Sequence, residues 1–307
     1  MSDKTFKILA IDGGGIRGVF PAHILRSLNE KLKIDVNNYF DMIAGTSTGS
    51  IIASAIACKK SPEEIIQLYK EKSYKIFASK NVLFPKCIKP AFISLYNNTG
   101  LIEILKEEFG EIKLGDINIP LLLPATDIGN GSVHVLKSGY SDEFTRDKNV
   151  FLYEAIAASC SAPIYFDPLK VKEYLLTDGG VWANNPSLAA VIDAKKRLNI
   201  DFDNIKIFSL GTGRSKIAYG VSTNKPWGFL TGLKGKEFIS FILSLQSQST
   251  QNYLQLMLKE EQILRIDFES DKPLPLDDVT QIDNLISRAD REFTHRTVEI
   301  KGFFEIN

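Results

Sequence analysis

Gly45-Thr46-Ser47-Thr48-Gly49 sets a serine among small residues, after the short strand-like stretch 39–44 and before the helix-forming run 50–58. A serine on such a strand-to-helix elbow sits in a tight, strained turn. Its hydroxyl is exposed and the helix's free N–H groups are close by, which is a nucleophile's setting. The competing reading is a turn serine that merely caps the helix beginning at Ser50. A nucleophilic serine needs a base, and the chain has three histidines, His23, His134 and His295. They fall in a helical pattern, a strand pattern and the terminal helical pattern, and none is flanked by turn glycines or small polar residues that would present it. Asp178-Gly179-Gly180, directly after the apolar run 174–176, is the better base, because glycines let the chain turn tightly and leave the carboxylate facing an open cleft. Taken alone, it is also an ordinary Asp-Gly turn.

Asp12-Gly13-Gly14-Gly15-Ile16-Arg17-Gly18 is the third element. Successive glycines after a strand aim backbone N–H groups at one point, and a helix N-terminus behind them favours negative charge there. An oxyanion and a phosphate both suit such a loop. Gly13, Gly15 and Gly18 satisfy the G-x-G-x-x-G pattern of dinucleotide-binding proteins, so a nucleotide cofactor is one alternative. Against it, the acid nearest the required offset, Asp35, precedes the second strand, whose end is occupied by the Ser47 elbow.

In this order, D-G-G-G-I-R-G, G-T-S-T-G and D-G-G resemble the patatin-like phospholipase family. Residues 157–166 (A-A-S-C-S-A-P-I-Y-F) look like the family's segment before the catalytic aspartate, and 178–186 (D-G-G-V-W-A-N-N-P) like the one that carries it. Residues 207–213 (I-F-S-L-G-T-G) look like a later strand and turn, so the likeness covers about residues 5–215; beyond them it is faint, around Trp227. The resemblance implies a three-layer α/β fold, its central sheet mostly parallel with helices on both faces. It implies a Ser47–Asp178 dyad, an oxyanion hole from the N–H groups of Gly13, Gly14 and Gly15, and support from Asp12, Arg17, Gly18, Gly45, Gly49, Gly179 and Gly180. Arg17 would orient the glycine loop or a substrate phosphate. The activity implied is phospholipase A-type acyl hydrolysis of membrane lipids through an acyl-enzyme, without a cofactor. Bacterial members of this size include antiphage effectors switched on by cyclic oligonucleotides, so such an activator is one expectation. A housekeeping or plant-type acyl hydrolase without nucleotide control is a second, and a non-catalytic lipid-binding module a third.

These residues need a layered scaffold, and the sequence supplies its signs. The continuous apolar run 8–11 reads as a strand covered on both faces, the pattern of a parallel sheet. Residues 19–32 form a crossover helix, 39–44 a second strand and 50–58 a second helix; strands at 121–126, 133–136 and 205–210 and a helix at 151–158 continue the alternation. We expect a catalytic core over 1–215 and an extension over 216–307 packed on the same domain as lid, effector or oligomer region. In the extension, 216–236 is loop-like, 238–258 helical and 285–300 a terminal amphipathic helix. With 44% hydrophobic residues the chain can bury a core, which excludes disordered and fibrous classes. Lys and Arg total 37, as do Asp and Glu, so no global basic field draws nucleic acid or membrane. Cys58, Cys87 and Cys160 make no C-x-x-C, and there is no D-x-D-x-D-G run, so neither a disulfide framework nor a thiolate or calcium site is expected.

No secretory signal is read at the start, and no apolar run reaches the ~18 to 20 residues of a spanning helix, so we expect a cytoplasmic protein that meets membranes from the surface. Two segments suit that contact. Residues 72–89 interleave Lys75, Lys80 and Lys86 with aromatics, and 225–238 carries Trp227 and Phe229 between lysines. A solvated linker and a structural loop over the sheet are the respective alternatives.

Overall fold

The computed structural model describes residues 5–78, 93–216 and 235–306. Its strands are β1 (Phe6–Ile11), β2 (Met42–Gly45), β3 (Leu121–Asp127), β4 (Ser132–Lys137), β5 (Leu169–Val171), β6 (Tyr174–Asp178), β7 (Ile205–Leu210), β8 (Arg214–Ser215), β9 (Ile263–Ile266) and β10 (Glu269–Ser270). Its helices are α1 (Val19–Leu32), α2 (Val36–Tyr39), α3 (Thr48–Ala57), α4 (Pro62–Ile76), α5 (Asn98–Phe109), α6 (Leu152–Ser159), α7 (Gly180–Ala183), α8 (Ser187–Arg197), α9 (Gly235–Met257), α10 (Ile282–His295) and α11 (Thr297–Phe303).

β1 organises the sheet. Its residues 8–11 are wholly buried, and alternation sends Leu9 and Ile11 into one core with Ile43 and Phe208, and Ile8 and Ala10 into the other with Met42 and Ile207. Helices α1, α3, α4 and α10 cover the first face, whereas α8 and α9 cover the second. β2 and β7 flank β1 in parallel, and β9 extends the sheet beyond β7, so residues after 216 supply a strand of the same sheet. The opposite edge is antiparallel.

The pairing around β3 decides where the site lies. β4 takes one edge of β3, from Leu122 to Asp127. The other edge is shared: β2 pairs in parallel at Leu121 and Leu122, and β6 pairs antiparallel at residues 125–127. Two strands running in opposite senses along one edge must meet end to end. The C-terminus of β2, which leads into Ser47, therefore faces the C-terminus of β6, which is Asp178.

Two expectations change. Tyr39 is not in the second strand, because Asp35 accepts the Asn37 N–H and starts the helical turn α2. The terminal helix divides into α10 and α11 at Arg296, whose guanidinium is held by the Arg265 carbonyl and Glu299. None of the described helices is long and apolar enough to cross a membrane.

Candidate active site

Ser47 stands between β2 and α3 with φ 54° and ψ −126°, a left-handed conformation that a non-glycine residue adopts only when its surroundings enforce it. The enforcing contacts are visible. Its N–H donates to Ser159 Oγ (3.0 Å), which itself donates to the Pro124 carbonyl (2.6 Å), and its carbonyl accepts from Ser50 Oγ (2.6 Å). The flanking glycines allow the close packing: a Cβ on Gly45 would collide with the Gly49 carbonyl, and one on Gly49 with the Ile11 carbonyl. Ser50 thus braces the elbow, and the Ser47 side chain makes no cap to α3.

Asp178 ends β6 with its side chain buried and within hydrogen-bonding reach of the Ser47 hydroxyl. Desolvation pushes its carboxyl up from 3.8 to about 6, opposed by the Ser47 hydrogen bond and by the Gly180 N–H, which donates to Oδ1 at 2.6 Å. Such a carboxylate is mostly ionised at neutral pH yet more basic than an exposed aspartate, as suits a proton acceptor. The histidines are elsewhere. His23 Nε2 lies 3.1 Å from Asp290, His134 packs on Tyr174 with Nε2 3.8 Å from Asp147, and His295 is in the last turn of α10. None of them lines the cleft at Ser47. Cys160 does, but burial pushes its thiol up and keeps it protonated.

The glycine loop crosses above this pair. Gly15 has φ +58°, and a Cβ there would strike the Leu276 carbonyl, so the position requires glycine. The set of three oxyanion donors read from the sequence narrows, because the Gly13 N–H is committed to the Asn184 carbonyl at 3.0 Å. Gly14 and Gly15 line the cleft, and among the described residues no backbone acceptor takes their N–H groups. The same is true of Thr48, at the positive end of α3, a donor the sequence reading overlooked. Arg17, only 7% exposed, braces the loop by donating from Nε to the Gly14 carbonyl (3.1 Å) and from Nη1 to that of Gly213 (2.9 Å). Asp12, the motif's acid, is buried and paired at both oxygens with Arg265 of β9 (3.1 and 2.7 Å), with Ser247 Oγ at 3.1 Å. Gly18 lies against Thr48 and Tyr69, and Gly179 against the Pro124 carbonyl. Asp35, the acid of the dinucleotide reading, is committed to capping α2.

From Ser47 an apolar cleft of about 190 Å³ runs between Ile51, Ile76, Phe77, Leu101, Tyr165, Phe166 and Leu243. Of the membrane-contact residues, Lys75 is exposed near the end of α4 beside Tyr74. Lys72 is neutralised by Glu107 and Glu108 of α5 (3.1 and 2.8 Å), which thins the basic stretch. Lys80, Lys86, Trp227 and Phe229 lie outside the described residues.

Residues 9–191 match the family model described as patatin-like phospholipase, and the chain belongs to that family. A "cGAMP-activated phospholipase" of Escherichia coli (strain TW11681) is 31% identical over 67% of this chain and 62% of its own length, so the match spans less than two thirds of that relative. A protein of the same name from Vibrio cholerae is 28% identical over 98% of this chain and 94% of its own. "Patatin-like protein 2" of rice (Oryza sativa subsp. indica) is 27% identical over 87% and 77%.

Proposed function

We propose that this chain is a lipid acyl hydrolase working through Ser47 and Asp178. The observation that carries the reading is one juxtaposition: a serine on a strained elbow, in reach of a desolvated carboxylate, at the mouth of an apolar cleft with unused N–H groups beside it. Ser47 Oγ attacks the ester carbonyl while Asp178 takes its proton. The N–H groups of Gly14, Gly15 and Thr48 hold the tetrahedral oxyanion, and the acyl chain lies along Ile51, Phe77 and Phe166. Collapse breaks the bond to the alcohol oxygen, which leaves with the proton from Asp178. Water, deprotonated by the same carboxylate, then attacks the acyl carbonyl, the bond to Ser47 Oγ breaks as that oxygen takes the proton back from Asp178, and the fatty acid is released.

The substrate is an ester-linked membrane lipid, met from the aqueous side through Lys75 and the segments that contain Lys80, Lys86, Trp227 and Phe229. The names of the Escherichia coli and Vibrio cholerae relatives support activation by a cyclic oligonucleotide. An acyl hydrolase without nucleotide control is the second reading. Ser47→Ala tests the chemistry: fatty-acid release from phospholipid vesicles should fall by roughly 10³ or more with the melting temperature retained. Release within tenfold of the wild type would refute the assignment.

A further inference from the structure

Behind the glycine loop, on the side away from the acyl cleft, lies a second cavity of about 510 Å³ that the hydrolytic chemistry does not use. Its volume is that of a small-molecule site. Its wall is polar, and α9 builds much of it. Ser240, Ser244, Ser247, Gln248 and Gln251 form a stripe at helical spacing that faces this cavity, while Ile239, Ile242 and Leu243 of the same helix face the acyl cleft. α9 is therefore the partition between the two spaces, and Leu243 and Asn184 border both.

The charges on the wall are mostly settled among themselves. Arg265 is paired with Asp12 and Asp267, Arg214 with Glu269, and Arg296 with Glu299. Arg17 stands beside them, in the field of Asp267 and Asp12. Its Nε and Nη1 hold backbone carbonyls, and among the described residues Nη2 has no protein partner. The Gln251 Oε1 is buried and, among the described residues, has no hydrogen-bond partner. A guanidinium edge with no protein partner suits a phosphate oxygen. Side-chain amides such as Gln248, Gln251 and Asn252 are the groups that read the edges of nucleobases. Both features in one cavity define a ligand that carries phosphodiesters and bases together.

We infer that this cavity is a binding site for a cyclic nucleotide, with its phosphodiester at Arg17 and its base edges at the amides of α9. The inference rests on the nucleotide-controlled reading above and places the control. Arg17 touches the Gly14 carbonyl directly, Thr212 Oγ1 donates to that of Gly13 (2.8 Å), and Asn184 Nδ2 donates to Ser247 of α9 (3.1 Å). A ligand here bears on the oxyanion loop and on the wall of the acyl cleft without entering the cleft.

The test uses the full chain with cGAMP as the probe, titrated by calorimetry, and compares the wild type with Gln251→Leu and Ser244→Phe. The first removes the unpartnered amide, the second fills the cavity from the α9 side, and neither residue takes part in the chemistry at Ser47. Wild-type binding should weaken at least tenfold in both variants. Their melting temperatures and their unstimulated hydrolysis of a short soluble ester should match the wild type. Equal affinity in all three proteins would overturn the assignment, and so would no binding by the wild type. The short-ester rate of the wild type against Ser47→Ala reports separately on the hydrolase reading, so failure of one is distinguishable from failure of the other.

Discussion

Replacing Asp178 with asparagine should stabilise the fold while abolishing hydrolysis. Burial raises the Asp178 carboxyl from 3.8 to about 6, so the folded state favours its neutral form. For a group raised in this way, the favourable contribution is complete below the unfolded value of 3.8 and is lost as pH climbs through 6. At about 1.4 kcal/mol per unit, the ionised carboxylate costs the wild type about 3 kcal/mol above pH 7. An amide has the shape of the neutral acid, and its Oδ1 can still accept the Gly180 N–H, so Asp178→Asn escapes that cost. Urea unfolding should show the variant ahead by about 3 kcal/mol at pH 7.5, roughly 5 °C in Tm for a chain of this size, with the gap closing below about 1 kcal/mol at pH 4. Because an amide cannot take the serine proton, kcat/KM should drop by about 10² to 10⁴. Wild-type kcat/KM should rise with pH through an apparent pKa near 6 as the base ionises. A variant no more stable than the wild type at pH 7.5, or ahead by the same margin at every pH, would refute the desolvated carboxylate.

The histidines provide the control: His23→Gln, His134→Gln and His295→Gln should each leave kcat within a fewfold of the wild type on a short ester, and loss of turnover in a folded variant would require a triad. Changing Lys75, Lys80 and Lys86 together to Glu should cut hydrolysis of anionic vesicles roughly a hundredfold, at about 1 kcal/mol for each lysine, and leave a soluble ester unaffected. Added salt should lower wild-type vesicle hydrolysis in the same way, because exposed charges are screened beyond ~8 Å at physiological ionic strength. Equal losses on both substrates would place the defect in the fold or the cleft.

The residues of the site were legible where the chemistry demands a residue type locally. Gly15 must be glycine for its positive φ and its contact with Leu276, and Gly45 and Gly49 must be small for the elbow to close, so the sequence shows both. What it does not show is the shared edge of β3 that brings β2 and β6 end to end, because that edge depends on two long-range pairings, Ile43 with Leu121 and Ala125 with Asp178. Arg265 was missed for the same reason. It is one arginine in a four-residue strand, and it matters only because β9 pairs with β7 and carries it to Asp12. Ser159 and Asn184 act through one hydrogen bond each on the elbow and the loop; both lie in segments whose likeness to the family was legible, but nothing local to them discloses those bonds. Helix α4, by contrast, had a readable start in Ser61-Pro62-Glu63-Glu64, a capping box with proline at the first turn. Reading it would have placed Lys72 on a helix face opposite the acids of α5 rather than in an extended basic run.

The most direct test of the catalytic reading is covalent capture of the nucleophile. The protein is incubated with one equivalent of a fluorophosphonate, and the adduct is located by mass spectrometry of the peptides. Phosphonylation needs an activated serine beside oxyanion donors, so it reports the nucleophile, the base and the hole together. The expected result is a single adduct on Ser47, absent in Ser47→Ala and formed far more slowly in Asp178→Asn. An adduct on any other residue, or labelling that persists at the wild-type rate in Asp178→Asn, would contradict the dyad.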